Sequence, residues 1–117
     1  MSYIAFITRD QTYPFLRSSS TSPIALDEWT ALVGADSTLT LDANDELVAI
    51  WTGSPLPFRF CPERADIVHS DPVPEVLEKM VELSAKISAV VRGGDGEFWL
   101  SGSEMVFPDH PDFPSID

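Results

Sequence analysis

The chain reads as a single α+β domain, with two helices on a largely antiparallel sheet in the order β-α-β-β-β-α-β-β. Three observations carry this reading. Residues 67–100 divide into strand, helix, strand, tight turn and strand with little left over. Two segments place apolar residues at three- and four-residue steps, the period of one helical face. The other apolar segments are short, alternate, and are bounded by Gly, Pro, Asn or Asp, as strands are. The order of the strands across the sheet stays open at this level.

The elements follow in turn. Residues 3–9 form a first strand. The N-terminal stretch has no basic region and no cleavage pattern, so it is not read as a signal peptide. Residues 10–23 hold Pro14, Pro23 and the run Ser18 to Ser22, and form a loop. A helix covers 26–33, with Leu26, Trp29, Leu32 and Val33 on one face. Asp27 and Glu28 sit in its first turn, where the dipole favours acids, and Gly34 can end it. Ala25 stands where a capping Ser or Thr is expected, which leaves the start weakly specified. Residues 38–41 alternate as a short strand, 42–45 turn, and 46–52 form another strand that Gly53-Ser54-Pro55 breaks. Residues 58–60 and 66–69 are extended, with an interruption near Pro62.

The second helix is the clearest. Val73, Val76, Leu77, Met80, Leu83, Ser84 and Ile87 share one face, while Glu75, Glu78, Lys79, Glu82 and Lys86 occupy the remainder. Glu75 with Lys79, and Glu82 with Lys86, are acid-before-base pairs at four-residue spacing, worth about 0.2–0.5 kcal/mol each. Ser70 and Asp71 are candidate caps, and Pro72 suits a first helical position. Pro74 biases Val73 away from the helical region, so the helix starts properly only at Pro74. Residues 89–92 then form a strand, Gly93-Gly94-Asp95-Gly96 a hairpin turn, and 97–100 the return strand. A phosphate loop would need a helix after the glycines, and a strand follows instead. The domain spans 1–100. Residues 101–117 carry Pro108, Pro111 and Pro114 with four acids and no base, and read as an irregular acidic tail that Phe107 and Phe113 can pin.

Composition bounds the function. The 117 residues, 44% of them hydrophobic, suffice for a core without disulfides or metal. No apolar run approaches the ~20 residues that span a bilayer. Cys61 is the only cysteine, which suits a reducing, cytoplasmic compartment. One Cys and two His are too few for a zinc site, and no cofactor is expected. The formal net charge is −12, from nineteen acids against seven Lys and Arg. Nucleic acid and anionic membranes would be repelled, and a basic protein would be attracted. The acids fall in local groups: Asp42, Asp45 and Glu46; Glu63 and Asp66; Asp95 and Glu97; and Glu104, Asp109, Asp112 and Asp117 in the tail. The first three groups are the candidate partner-binding residues.

No residue set demands a chemistry. A calcium loop beginning at Asp42 would need glycine at its sixth position and Glu at its twelfth, and has Leu47 and Gly53 there. His69 lies near Asp71 but has no nucleophile at motif spacing, so a structural role is expected. His110 is expected to be solvated, and Cys61 to be a half-buried thiol. Trp29 belongs to the core, and Trp51 and Trp99 can line a core, a pocket or a partner surface. Arg59 and Arg64 are expected to pair with neighbouring acids.

Two segments carry a resemblance. Ile24-Ala25-Leu26-Asp27-Glu28-Trp29, with Leu32, Val33 and Asp36, resembles the pattern I-S-L-E-E-W…D of a family of small, largely uncharacterised bacterial proteins. Pro72, Leu77, Lys79, Met80, Ala89, Val91, Gly93, Asp95, Gly96 and Glu97 resemble its N-P-D…L-x-K-M…L-x-A-x-V-x-G-D-D-G-E at matching spacing. The chain departs at Ala25, Asp71, Val73 and Gly94, each of which weakens a cap or turn. The resemblance covers most of residues 1–100, implies an immunity-type role, and carries over no catalytic residue. The expected function is therefore non-catalytic: an acidic protein that neutralises a basic partner, such as a bacterial toxin. The alternatives are a small-molecule-binding or enzymatic domain with a pocket near Trp51, Arg59, His69 and Trp99, and a homodimer built on a sheet edge or aromatic surface.

Overall fold

The computed structural model describes residues 3–10 and 23–107. Among the described residues ten elements follow one another: β1 (Ile4–Thr8), α1 (Leu26–Gly34), β2 (Leu39–Asp42), β3 (Asp45–Trp51), β4 (Phe58–Cys61), β5 (Asp66–Ser70), α2 (Pro74–Lys86), β6 (Val90–Gly93), β7 (Phe98–Trp99) and β8 (Met105–Val106). The strands form one sheet in the order β2-β3-β4-β5-β1-β6-β7-β8, and every neighbouring pair is antiparallel. The domain is α+β with two helices, as expected.

Two expectations change in detail. The interrupted stretch 58–69 is a hairpin, with Arg59 opposite Val68 and Cys61 opposite Asp66. Its turn runs through Pro62 to Ala65, where Ala65 takes a positive φ of 54°. Residues 101–107, read as the start of the tail, join the fold: Met105 pairs with Trp99 and Val106 with Phe98. A two-residue edge strand carries too little pattern to be recognised alone. The loop expected over 11–22 and the tail from 108 onward, with His110 and Phe113, lie outside the described residues.

Strand alternation sends side chains to two faces. Ala5, Ile7, Ile67, Phe58, Phe60, Ala49 and Val91 face the helices and close on Trp29, Leu32, Val33, Val76, Leu77, Met80 and Leu83. Each such fully buried large side chain contributes about 1.5–3 kcal/mol relative to exposure. On the opposite face Val90, Phe98 and Val106 form a smaller buried cluster. Arg92 is fully buried beside it, donating to Asp10 O and Gly96 O and lying over the Phe98 ring.

The helix starts rest on different devices. At α1 the Glu28 carboxylate reaches back to the Ala25 N–H at 3.1 Å and grips Arg9 through both oxygens. Arg9 also donates to Ile87 O, so one guanidinium ties β1 to the start of α1 and the end of α2. That pairing holds the Glu28 carboxyl below the usual range. At α2, Pro74 occupies the first helical position and Val73 is the uncapped N-cap. Asp71 does not cap the helix. It takes φ 47° and accepts from the Tyr3 N–H at 3.1 Å, while its own N–H donates to Tyr3 O.

Lys79 departs from the amphipathic pattern. It lies on the polar stripe of α2, yet its side chain is only 9% exposed. It pairs with Asp36 at 2.5 Å and Glu82 at 2.9 Å, rather than with Glu75. The expected Glu82–Lys86 pair is present at 3.8 Å. Burial disfavours the charge on Lys79, but its bonds to Asp36 and Glu82 outweigh that and raise its pKa. The Lys79 ammonium and Thr38 in turn hold the Asp36 carboxyl well below the ordinary carboxylate range.

Candidate functional site

Antiparallel alternation sorts the turns by end. Strands β3, β5 and β6 run one way, and β2, β4, β1 and β7 the other. The β2–β3 and β4–β5 turns therefore share one end of the sheet, and the β6–β7 turn lies at the opposite end. The seven acids expected to bind a partner are split accordingly. Asp42, Asp45, Glu46 and Glu63 gather at the first end. Asp95 and Glu97 lie at the second. Asp66 is fully buried and Glu97 is 4% exposed, so neither belongs to an open acidic surface.

At the first end the carboxylates serve the turn. Asp42 accepts from the Asn44 N–H at 2.8 Å and Asp45 from the Leu47 N–H at 3.0 Å. Arg59 lies 3.8 Å from Asp45. That ion pair is exposed, and such pairs contribute about 0–1 kcal/mol. Glu46 and Glu63 are exposed.

At the second end a hydrogen-bonded set closes around Glu97. The Tyr3 hydroxyl donates to Glu97 Oε2 at 2.9 Å, and Trp99 Nε1–H donates to the Tyr3 oxygen at 2.8 Å. The Asp95 N–H donates to Glu97 Oε1 at 3.2 Å. The Tyr3 and Trp99 rings meet edge to face, 6.5 Å between centroids. Burial raises the Tyr3 hydroxyl above the ordinary tyrosine value; the Trp99 bond opposes the rise and the Glu97 carboxylate adds to it. The phenol is thus a neutral donor near pH 7, not a base. Gly93 makes the approach possible, because a Cβ there would overlap both the Tyr3 oxygen and the Glu97 carboxyl. Gly96 has φ 90°, the left-handed turn position expected of this glycine.

A trough of about 420 Å³ lies beside this set, on the helix-bearing face. Its walls include Tyr3, Trp99, Leu77 and Met105, with Pro72 and Pro74 at the start of α2. The β7–β8 loop closes one side. Gly102 packs against the Pro74 carbonyl, where a Cβ would overlap it, and its N–H donates to Glu78 Oε1 at 3.2 Å. A second hollow of about 270 Å³ shares Pro74, Gly102 and Ser103 with the trough and adds Glu75 and Glu78.

The pocket expected near Trp51, Arg59, His69 and Trp99 is not assembled. β3 and β7 lie five places apart in the strand order, about 24 Å at ~4.8 Å per strand. Trp51 instead covers Gly53 and lies 6.0 Å from the Lys79 ammonium. Arg59 is exposed on the face opposite the helices. His69 is 2% exposed and packs edge to face on Phe58 at 4.8 Å. Its Nδ1 lies 2.9 Å from Ser70 O, and its Nε2 lies 3.1 Å from Leu56 O and 3.4 Å from Ser54 Oγ. Burial lowers its pKa. Backbone carbonyls lie nearer its ring nitrogens than the serine does, which is the geometry of a core histidine. Cys61 is half-buried and Trp29 is in the core, stacked on Phe60 and donating to Glu46 O.

Among the described residues no group of three or more His, Cys, Asp or Glu could hold a metal ion, and no helix is long and apolar enough to cross a membrane. No protein-family model, curated protein or solved structure matches the chain. The likeness to the small bacterial family therefore rests on its motif residues alone.

Proposed function

We propose that this is a non-catalytic binding protein whose partner is a basic protein. One observation carries the reading: the cations of the described chain are mostly turned inward or neutralised. Arg9 is held by Glu28, Lys79 by Asp36 and Glu82, and Arg92 is buried. Lys86 and Arg59 lie within 4 Å of Glu82 and Asp45, which leaves Arg64 exposed at the β4–β5 turn. Exposed carboxylates such as Asp27, Glu46, Glu63, Glu75, Glu78 and Asp95 then dominate the field at the surface. A negative field of this kind accelerates encounter with a cationic partner and repels anionic ones. A basic bacterial toxin, the partner that the family resemblance implies, is the first to test.

The test is a pull-down with the full chain, followed by association kinetics of the recovered partner across a salt series. The expected partner has a high isoelectric point. Its association rate falls by on the order of tenfold or more as the Debye length shrinks from ~10 Å at 0.1 M to ~3 Å at 1 M salt. Acidic partners, or an association rate insensitive to salt, would overturn the reading.

A further inference from the structure

We propose that the trough between the start of α2 and the β7–β8 loop is where that basic partner docks, through a segment carrying an arginine or lysine beside an apolar side chain. This rests on the reading above and adds the place and chemistry of contact.

Shape and charge meet at this trough. Its volume of about 420 Å³ falls within the range of ~300–1,000 Å³ typical of ligand sites. Its walls are largely apolar, and its rim leaves Met105 47% exposed, with Val73 51% exposed next to Pro72 and Pro74. The almost wholly buried Glu97 lines the trough, and the exposed Glu75 and Glu78 line the neighbouring hollow. Among the described residues no Lys or Arg lines either space. An apolar trough with two exposed carboxylates in the hollow beside it favours a long cationic side chain. The aliphatic stem of Arg or Lys lies along apolar walls while its head stays beside carboxylates. The half-buried Trp99 ring adds a face for a cation, and arginine stacks best on such a face. Its indole N–H is already used by Tyr3, so the ring is held in place before anything binds.

The experiment uses the full chain labelled for NMR and two blocked tetrapeptides as probes. One is Leu-Arg-Phe-Lys amide; the other replaces its Arg and Lys by citrulline and norleucine. The charged peptide is expected to shift the Trp99 indole and the Gly102 and Ser103 amides saturably. The neutral peptide is expected to bind about fivefold more weakly, since partly exposed charge contacts are individually modest. Met105→Lys in the trough and, separately, Glu75→Lys in the hollow beside it place a cation at exposed positions of this region, and Met105→Lys should weaken the charged peptide by about tenfold. Glu46→Lys with Glu63→Lys, at the other end of the sheet, should change it by less than about twofold. Shifts confined to the β2–β3 and β4–β5 turns, equal affinity for both peptides, indifference to both Met105→Lys and Glu75→Lys, or no saturable shift would each overturn the proposal. A basic partner that binds both Met105→Lys and Glu75→Lys with unchanged, salt-sensitive kinetics would overturn the trough and leave the charge reading standing. Peptide binding in the trough by a chain that retains no basic protein would do the reverse.

Discussion

Asp42 and Asp45 at one end of the sheet accept hydrogen bonds from backbone N–H groups two residues ahead of them. Glu97 at the other end accepts one such local bond, from Asp95, and a second from Tyr3, far away in sequence. The first two remain half-exposed; the third is almost wholly buried. The local pair needs only a turn, and water can replace it. The distant one needs β1 and β6 paired and β7 folded back beside them. An acid in a turn and an acid in a hydrogen-bonded set thus look alike in composition and differ in what the fold demands of them.

Asp36 sets the upper scale for this difference, because its partner Lys79 is as buried as it is. Lys79→Ala leaves that carboxylate without its buried cation and should cost about 3–5 kcal/mol, read from chemical denaturation. The pH dependence has a definite sign. The folded-state pKa values of Asp36 and Glu28 are depressed, so their stabilisation is fully present above the ordinary carboxylate range near ~4 and is lost as pH falls below it. Lys79→Ala should flatten the Asp36 part of that acid-side loss. An unchanged acid transition would show that the pair contributes nothing.

Next in size is the contrast between two adjacent glycines. Gly93→Val drives a side chain into the Tyr3 oxygen and the Glu97 carboxyl and should cost about 1–3 kcal/mol or more. A Cβ at Gly94 meets nothing within 4 Å, so Gly94→Ala should stay within about 0.5 kcal/mol of the parent. Equal denaturation midpoints for the two variants would dissolve the special status of this end.

The smallest expected effect compares the two ends directly. Tyr3→Phe removes a donor from a buried carboxylate and should cost about 1–3 kcal/mol. Asp42→Asn keeps an acceptor in an exposed turn and should cost less than about 0.5 kcal/mol. If the two variants lose the same stability, Glu97 is solvated in the folded protein and the distinction fails.

The residues that carry the family resemblance are legible in the sequence, and their partners are not. Glu28 holds Arg9, Asp36 holds Lys79, and Gly93 makes room for Tyr3 and Glu97. None of these partners could be named from spacing, since the pairs join segments 19, 43 and 94 residues apart.

What the sequence determined is what depends on near neighbours along the chain. Both helices, the strands around the Gly93–Gly96 turn, the start of α2 at Pro74 and the positive φ of Gly96 follow from periodicity, ring closure and the freedom of glycine. The acidic imbalance is likewise a property of composition. The tertiary structure alone decided the strand order, the burial of Asp66 and Glu97, the place of Lys79 in the interior and the trough beside Trp99. Each of these depends on which distant segments meet, and a long-range contact leaves no local period in the chain. Charge is additive along a sequence, whereas whether a given carboxylate meets water is settled only when the sheet closes over it.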